Sequence, residues 1–472
     1  MNEPISSIQE ETYRDRIASV TEKGKRKWIY AQQPTGRFYK ARTILAWLYL
    51  IVFFTMPFIK VNGMPFIMLN FFEGKFILFS KIFWPQDFII FALGMITMVI
   101  FIALFTVVYG RLFCGWVCPQ TIFMEFVFRK LEWWIEGTPT QQKKRAQHKQ
   151  SFDFLWRRII KYVLFFVLSF LIANTFLSYI VGIDELKNMI AAPISENFGL
   201  LSGLLVFTLL FFSVYAFVRD LVCTTVCPYG RLQSVLFDKN TMLIAYDYNR
   251  GEPRGKLKKH TENNSRPLGD CVDCKLCVNV CPTGIDIRNG VQMECIGCTA
   301  CADACDSVML KLNRPTGLIR YASENEIQHG QNFRFSGKVL GYSIMLFLLL
   351  AAMSVMIFTR RSIDTSIARV KGQLYQEVPE GKLSNLYNAK IINKTHQPIK
   401  VHLKLNHIEG GEIKLIGIPN ITLKPESINE IFFFVILPDR AVKQRSQKIK
   451  IDVYSEENKL QTIKTTFLGP FS

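Results

Sequence analysis

A chain of 472 residues is too long for one small domain, and at about 150 residues per domain it holds roughly three structural units. It is 49% hydrophobic with a positive mean hydropathy, yet 57 Lys and Arg against 38 Asp and Glu leave a net charge of +19. Apolar and basic together argue against a soluble enzyme, and twelve cysteines gathered in four tight clusters argue against a secreted disulfide scaffold and for metal or redox chemistry.

Residues 1–43 are polar and basic with no cleavable signal pattern, which makes the first apolar stretch an anchor rather than a removed segment. Apolar stretches follow at 44–59, 87–109, 159–181, 200–218 and 339–358. About 20 residues span the hydrocarbon core, so each is expected to be a transmembrane helix, the first only with its flanks. Lys and Arg number 34 in segments 1–43, 110–158 and 219–338 but only 4 in the loops 60–86 and 182–199. The positive-inside bias therefore puts the amino terminus and 219–338 in the cytoplasm and exports everything after 358, against the weaker opposing signal of Arg360 and Arg361. Met95 and Met98 read as packing or lipid surface, Lys161 as a side chain snorkelling to the interface, His148 and His260 as solvated, and 140–149 as a solvated loop or a surface for anionic lipid.

The tail, 372–472, lacks long apolar runs and alternates in short stretches at 389–393, 399–405, 412–418, 430–436 and 448–454. Turn signals at Glu409-Gly410-Gly411 and Leu437-Pro438-Asp439 separate some of them, as in an antiparallel, immunoglobulin-like β-sandwich without a disulfide. The Asn-x-Thr triplets at Asn393 and Asn420 read as turn chemistry. The expected fold is thus a membrane all-α unit of five transmembrane helices, four of them within 44–218. Into it a two-cluster ferredoxin-like segment is inserted (about 265–315, within 219–338), and a β-sandwich follows.

Between the fourth and fifth helices the chain reads Cys271-x2-Cys274-x2-Cys277-x3-Cys281-Pro282, then Cys295-x2-Cys298-x2-Cys301-x3-Cys305. This is the doubled run of a bacterial ferredoxin with two [4Fe-4S] clusters, in which the fourth cysteine of each run ligates the other cluster. One cluster is expected on Cys271, Cys274, Cys277 and Cys305, the other on Cys295, Cys298, Cys301 and Cys281. Zinc needs four ligands in two pairs, and eight in this overlap exceed that need. Asp306 stands where the second run usually has proline, which leaves that loop's turn open.

Two further pairs, Cys114-Gly-Trp-Val-Cys118-Pro119 and Cys223-Thr-Thr-Val-Cys227-Pro228, each follow a transmembrane helix, as a degenerate repeat. On a helix i and i+4 share a face, so each pair could clamp a soft ion or close a disulfide, while the following proline makes a turn equally compatible. Buried packing thiols are the plainer reading. The repeat favours four thiolates meeting near the cytoplasmic membrane surface as a catalytic site.

Together with 24–30, Gly36-Arg37-Phe38-Tyr39, 84–88, 250–255, Glu294-Cys295-Ile296-Gly297-Cys298 and Asp303-Ala304-Cys305-Asp306, these motifs make nearly the whole chain resemble the CcoG/FixG/RdxA family, the cytochrome c oxidase accessory proteins. The resemblance implies a bacterial inner-membrane oxidoreductase that reduces Cu(II) to Cu(I) for assembly of the cbb-type oxidase, with copper chaperones and assembly factors as partners and no nucleic acid. A quinol-linked electron relay and a non-enzymatic assembly scaffold are the alternatives. No Gly-x-Gly-x-x-Gly loop follows a strand, which argues against a nicotinamide or flavin site in this chain and for an external reductant or quinol. Anaerobically purified protein is expected to contain about eight iron and eight sulfide per chain, the content of two cubanes, by elemental analysis.

Overall fold

The computed structural model describes residues 26–470 apart from short internal segments, the longest being 84–87, 194–197, 256–267 and 331–336. Of the positions raised above, residues 24, 25 and 84–87 and also Lys149, His260, Arg360, Arg361 and Asn420 lie outside the described residues. The chain forms two units, 1–353 and 354–472.

Among the described residues five helices are long and apolar enough to cross a membrane. With elements numbered in chain order, they are α1 (Arg37–Thr55, extended by a 3-10 turn to Phe58), α2 (Phe88–Tyr109), α6 (Phe152–Val181), α7 (Phe198–Ser213, extended by a π-helical turn to Val218) and α11 (Gly337–Phe358). Large apolar side chains such as Ile44, Trp47 and Ile51 on α1 and Phe347 and Leu348 on α11 stay exposed, a surface that only lipid would cover at low cost.

Between α2 and α6 the chain makes α3 (Leu112–Trp116) and then one nearly continuous helix, from α4 (Pro119–Ile122) through a π-helical turn at Phe123–Phe128 into α5 (Arg129–Glu136). Proline at its first position needs no amide partner there, and Gly137 with φ 78° ends it. This helix fills the centre of the first unit: Phe128 stacks on Tyr215 at 4.3 Å and meets Phe165 edge-on at 4.8 Å, with Leu50, Ile122 and Ile172 around them.

Its polar side carries a buried charge network. Glu132 takes Arg219 at 2.8 Å and Lys161 at 3.4 Å, Lys161 reaches Glu136 at 2.6 Å, and Arg129 joins Asp220 at 3.0 Å and Glu125 at 3.3 Å. The expectation that Lys161 snorkels to the interface is therefore corrected: it is 3% exposed, because two glutamates one turn apart on α5 offer it an inward partner.

The ferredoxin-like segment is closed at its ends by an antiparallel ribbon of β1 (Leu243–Tyr246) and β2 (Ile319–Ala322). Each cysteine run turns through two left-handed residues at matching offsets, Asp273 and Lys275 in the first, Gly297 and Thr299 in the second, so the sequence repeat is also a backbone repeat. The short α9 (Leu276–Asn279) ends before Cys281-Pro282. Its counterpart α10 (Ala300–Lys311) runs on through Cys305, which is why Asp306 replaces the helix-breaking proline there. Asp306 instead accepts the Gly317 amide at 2.8 Å.

In the second unit two antiparallel sheets form an immunoglobulin-like sandwich. One runs β7 (Glu412–Leu415), β9 (Ile428–Pro438), β5 (Lys382–Asn393), β3 (Ile363–Arg369), with β4 (Gln376–Val378) also on β5; the other runs β8 (Ile421–Leu423), β6 (Ile399–Leu405), β10 (Ser446–Ser455), β11 (Asn458–Leu468). Tyr387, Ile391, Phe433, Ile451 and Phe467 are fully buried between them. The first strand begins ahead of the expected boundary at 372, and β3, β4, β8 and β11 were not anticipated by the alternation of hydrophobic residues. Asn393 is buried, its amide donating to the Gln397 and Lys424 carbonyls, so that triplet is a turn tether.

Replacing Lys161 with Met leaves Glu136 without its buried cation and is expected to cost on the order of 3 kcal/mol. Thermal unfolding in detergent checks this against Lys143→Ala on the exposed face of Pro139–Gln147, a short helix where a solvated loop was expected, which should shift stability by less than about 0.5 kcal/mol.

Candidate cluster and thiol centre

The eight ferredoxin-type cysteines line two cavities. One is bounded by Cys271, Cys274, Cys277 and Cys305 with Tyr246 and Arg288, the other by Cys281, Cys295, Cys298 and Cys301 with Cys277 on the shared wall. The two groups are the crossed sets that the spacing predicts. Among the described residues no three Cys, His, Asp or Glu side chains close on a single metal ion. Thiols set around a cavity of this kind fit a cubane, whose iron and sulfide core holds its ligands apart. Burial pushes the Cys298 and Cys305 thiols up to about 12 and that of Cys295 up to about 11, so loading the site must displace protons.

The Cys-Pro pairs are built alike. Cys118 and Cys227 are both extended, with ψ 125° and 114°, and each caps the helix that its proline begins, the second being α8 (Pro228–Leu236). Cys114 lies in α3, and Cys223 in a π-helical turn at Val222–Val226. The members of a pair thus sit on successive elements rather than on one helix face, because proline bars the preceding residue from helix.

The four thiols nevertheless lie within electrostatic reach of one another. Burial, then Cys118, raises the Cys114 thiol to about 11, and Cys223 is raised by burial and Asp220 and then by all three other thiols. Cys114 Sγ donates to Gln233 Oε1 at 3.4 Å. Cys114 and Cys223 pack against the cluster of Val280, Ile296, Cys298, Ala300 and Ala304, which places them beside the second cavity.

That junction is held backbone to backbone. A Cβ on Gly115 would lie 2.6 Å from the Gly297 carbonyl oxygen, and one on Gly297, itself at φ 68°, would lie 2.9 Å from that of Arg111. Arg42 donates to the Gly115 and Cys298 carbonyls at 3.0 and 2.9 Å. Arg111 donates to the carbonyls of Met293, Gly230 and, at 3.4 Å, Cys295. Asp303 on α10 accepts the Phe38 and Tyr39 amides at 3.1 and 2.7 Å and so caps α1 from another part of the chain. Sequence reasoning missed these roles of Arg42, Gln233 and Asp303. The one available signal was Arg42 itself, a charge inside an expected membrane flank.

Gly115→Ala is expected to separate the two loops and lower iron from about eight toward about four per chain, because backbone on both sides cannot yield to the added methyl group. Iron analysis of the purified variant checks it.

Three family models match the chain. A 4Fe-4S dicluster domain covers residues 218–324, a 4Fe-4S binding domain covers 91–137, and an IG-like fold at the C-terminal of FixG, putative oxidoreductase, covers 353–470. Protein RdxA of Cereibacter sphaeroides is 28% identical over 399 residues, 81% of this chain and 83% of that protein. Nitrogen fixation protein FixG of Rhizobium meliloti is 31% identical over 327 residues, 66% of this chain and 60% of that protein. The crystal structure of a FixG-related protein from Vibrio parahaemolyticus aligns with 24% of this chain and 100% of its own at 18% identity and a TM-score of 0.21. With the cluster loops, part of the membrane region and the C-terminal β-domain all matched, the chain is similar to the FixG and RdxA proteins over most of its length and is an iron–sulfur electron-transfer protein of the membrane.

Proposed function

We propose that this protein reduces Cu(II) to Cu(I) at Cys114, Cys118, Cys223 and Cys227, in support of cbb-type cytochrome c oxidase assembly. The observation that carries the reading is that the four thiols lie within electrostatic reach of one another, with Cys114 and Cys223 packed against residues of the second cavity. Clusters held by the eight ferredoxin-type cysteines would supply single electrons, and Cu(II) takes one electron and no proton to become Cu(I). The donor is an external reductant or quinol. The chain's own residues do the rest. Thiol sulfur is a soft ligand that favours Cu(I) over Cu(II), so copper held by sulfurs of the quartet is pulled toward reduction. Gln233 orients the Cys114 sulfur, and Gly115 and Gly297 keep the gap between the quartet and the cavity to a single backbone contact.

In this reading the amino terminus and the ferredoxin-like segment are cytoplasmic and the sandwich is periplasmic in a bacterial inner membrane, as the charge bias supports. Copper chaperones and oxidase assembly factors are the partners.

A second reading is supported by the 4Fe-4S binding domain match at 91–137, which contains Cys114 and Cys118. The quartet would then hold a third cluster. Double replacement of Cys114 and Cys118 by Ser is expected to abolish anaerobic Cu(II) reduction, followed with a Cu(I)-specific chromogenic chelator, while iron stays near eight per chain. Iron near twelve in the parent, falling in the variant, would establish the third cluster instead. Unchanged reduction would remove the quartet from the copper step.

A further inference from the structure

Arg42 and Arg111 differ from the other buried cations of the first unit. Arg129, Lys161 and Arg219 are all ion-paired. Arg288, on the wall of the first cavity, pairs with Asp273 and Asp286 at 2.6 Å each. Arg42 and Arg111 are 3% and 5% exposed, and among the described residues neither is in an ion pair. Each hydrogen-bonds to carbonyl oxygens only and lies over an aromatic ring, Phe126 for Arg42 and Phe237 for Arg111, and Arg42 Nη2 and Arg111 Nε are buried without a hydrogen-bond partner. The nearby acids do not cancel them. Glu125 faces Arg42 but pairs with Arg129, and Glu294, beside Cys295, has no ion pair with Arg111.

An uncompensated buried guanidinium is costly, so two of them on one loop imply an anionic counterpart in the native protein. Both carbonyl sets they hold, Cys298 on one side and Met293 and Cys295 on the other, belong to the loop that supplies three ligands to the second cavity. Among the described residues the first cavity has no buried unpaired cation, since its Arg288 is neutralised by aspartates and its Lys275 is exposed, and it has an outlet to solvent through the exposed Cys274.

We infer that Arg42 and Arg111 are positioning residues whose unpaired charge raises the reduction potential of the cluster held by Cys281, Cys295, Cys298 and Cys301. Adding an electron to a deeply buried anionic group is disfavoured by the loss of solvent, and the two guanidinium groups offset that loss. Electrons then pass from the solvent-facing cluster to the buried one beside the thiols instead of stalling at the surface. The inference rests on the iron–sulfur assignment and not on copper as the acceptor.

The test is an EPR-monitored redox titration of the full-length holoprotein in detergent, with iron content measured in parallel and no copper present. In Arg42→Gln and Arg111→Gln one of the two cluster potentials should fall while the other stays at its parental value. Two unmoved potentials, or an equal fall in both, would overturn the inference. Arg42→Lys keeps the charge but cannot fork to two carbonyls, so it should retain a potential close to the parent; a fall matching that of Arg42→Gln would show that charge is not the agent. Loss of iron from both the Gln and Lys variants would reduce the arginines to structural clamps and likewise overturn it. Because no copper enters the measurement, a failed cupric reductase assay leaves this result standing.

Discussion

Two glycines, Gly115 from the membrane unit and Gly297 from a cluster loop, approach until neither position has room for a Cβ, and the rest of the electron-transfer apparatus is arranged around that contact. It fixes where the second cavity ends and the thiol quartet begins. Arg42 and Arg111 staple it from either side by donating to carbonyls of both partners. The partition between the cluster cavity and the thiols is therefore only backbone thick, with no side chain interposed at that contact.

Charge is managed differently a turn away. Arg219 holds a left-handed backbone, φ 55°, that a glycine would adopt more readily. Its side chain explains the choice: the guanidinium reaches Glu132 at 2.8 Å and lies over the Trp28 ring at 4.4 Å. The strained residue turns the chain from the π-helical end of α7 toward Cys223, and its pairings hold the strain in place. Arg129, Asp220 and Lys161 complete a network in which each charge has a partner. The bundle can thus carry polar groups next to the quartet without opening a path for water.

Much of this was legible before any coordinates. Helix-length apolar runs give the spans because lipid leaves a chain no other way to satisfy its amides, and cysteine spacing gives the cluster loops because a cubane's size dictates it. What was not legible depended on partners far away in sequence. Lys161 looked like an interfacial lysine until Glu132 and Glu136 were seen to share its face. The Cys-Pro pairs looked as if they could share a helix face, and proline's effect on Cys118 and Cys227 decided otherwise. Strand β11, Asn458–Leu468, mixes Lys, Gln and Thr with few large apolar residues, and only its pairing with β10 identifies it.

The cap on α1 sets an order of events in biosynthesis. The amides of Phe38 and Tyr39 wait for a carboxylate 265 and 264 positions further along the chain, so the first helix to enter the membrane is among the last to have its end secured. Four spans are made before Asp303 leaves the ribosome, and Asp303 itself lies between Cys301 and Cys305, which belong to opposite clusters. Securing the end of α1 is thereby tied to the folding of the second cluster loop, while α11 is still to be made, and a chain whose cluster loop failed to fold would leave the Phe38 and Tyr39 amides without this cap.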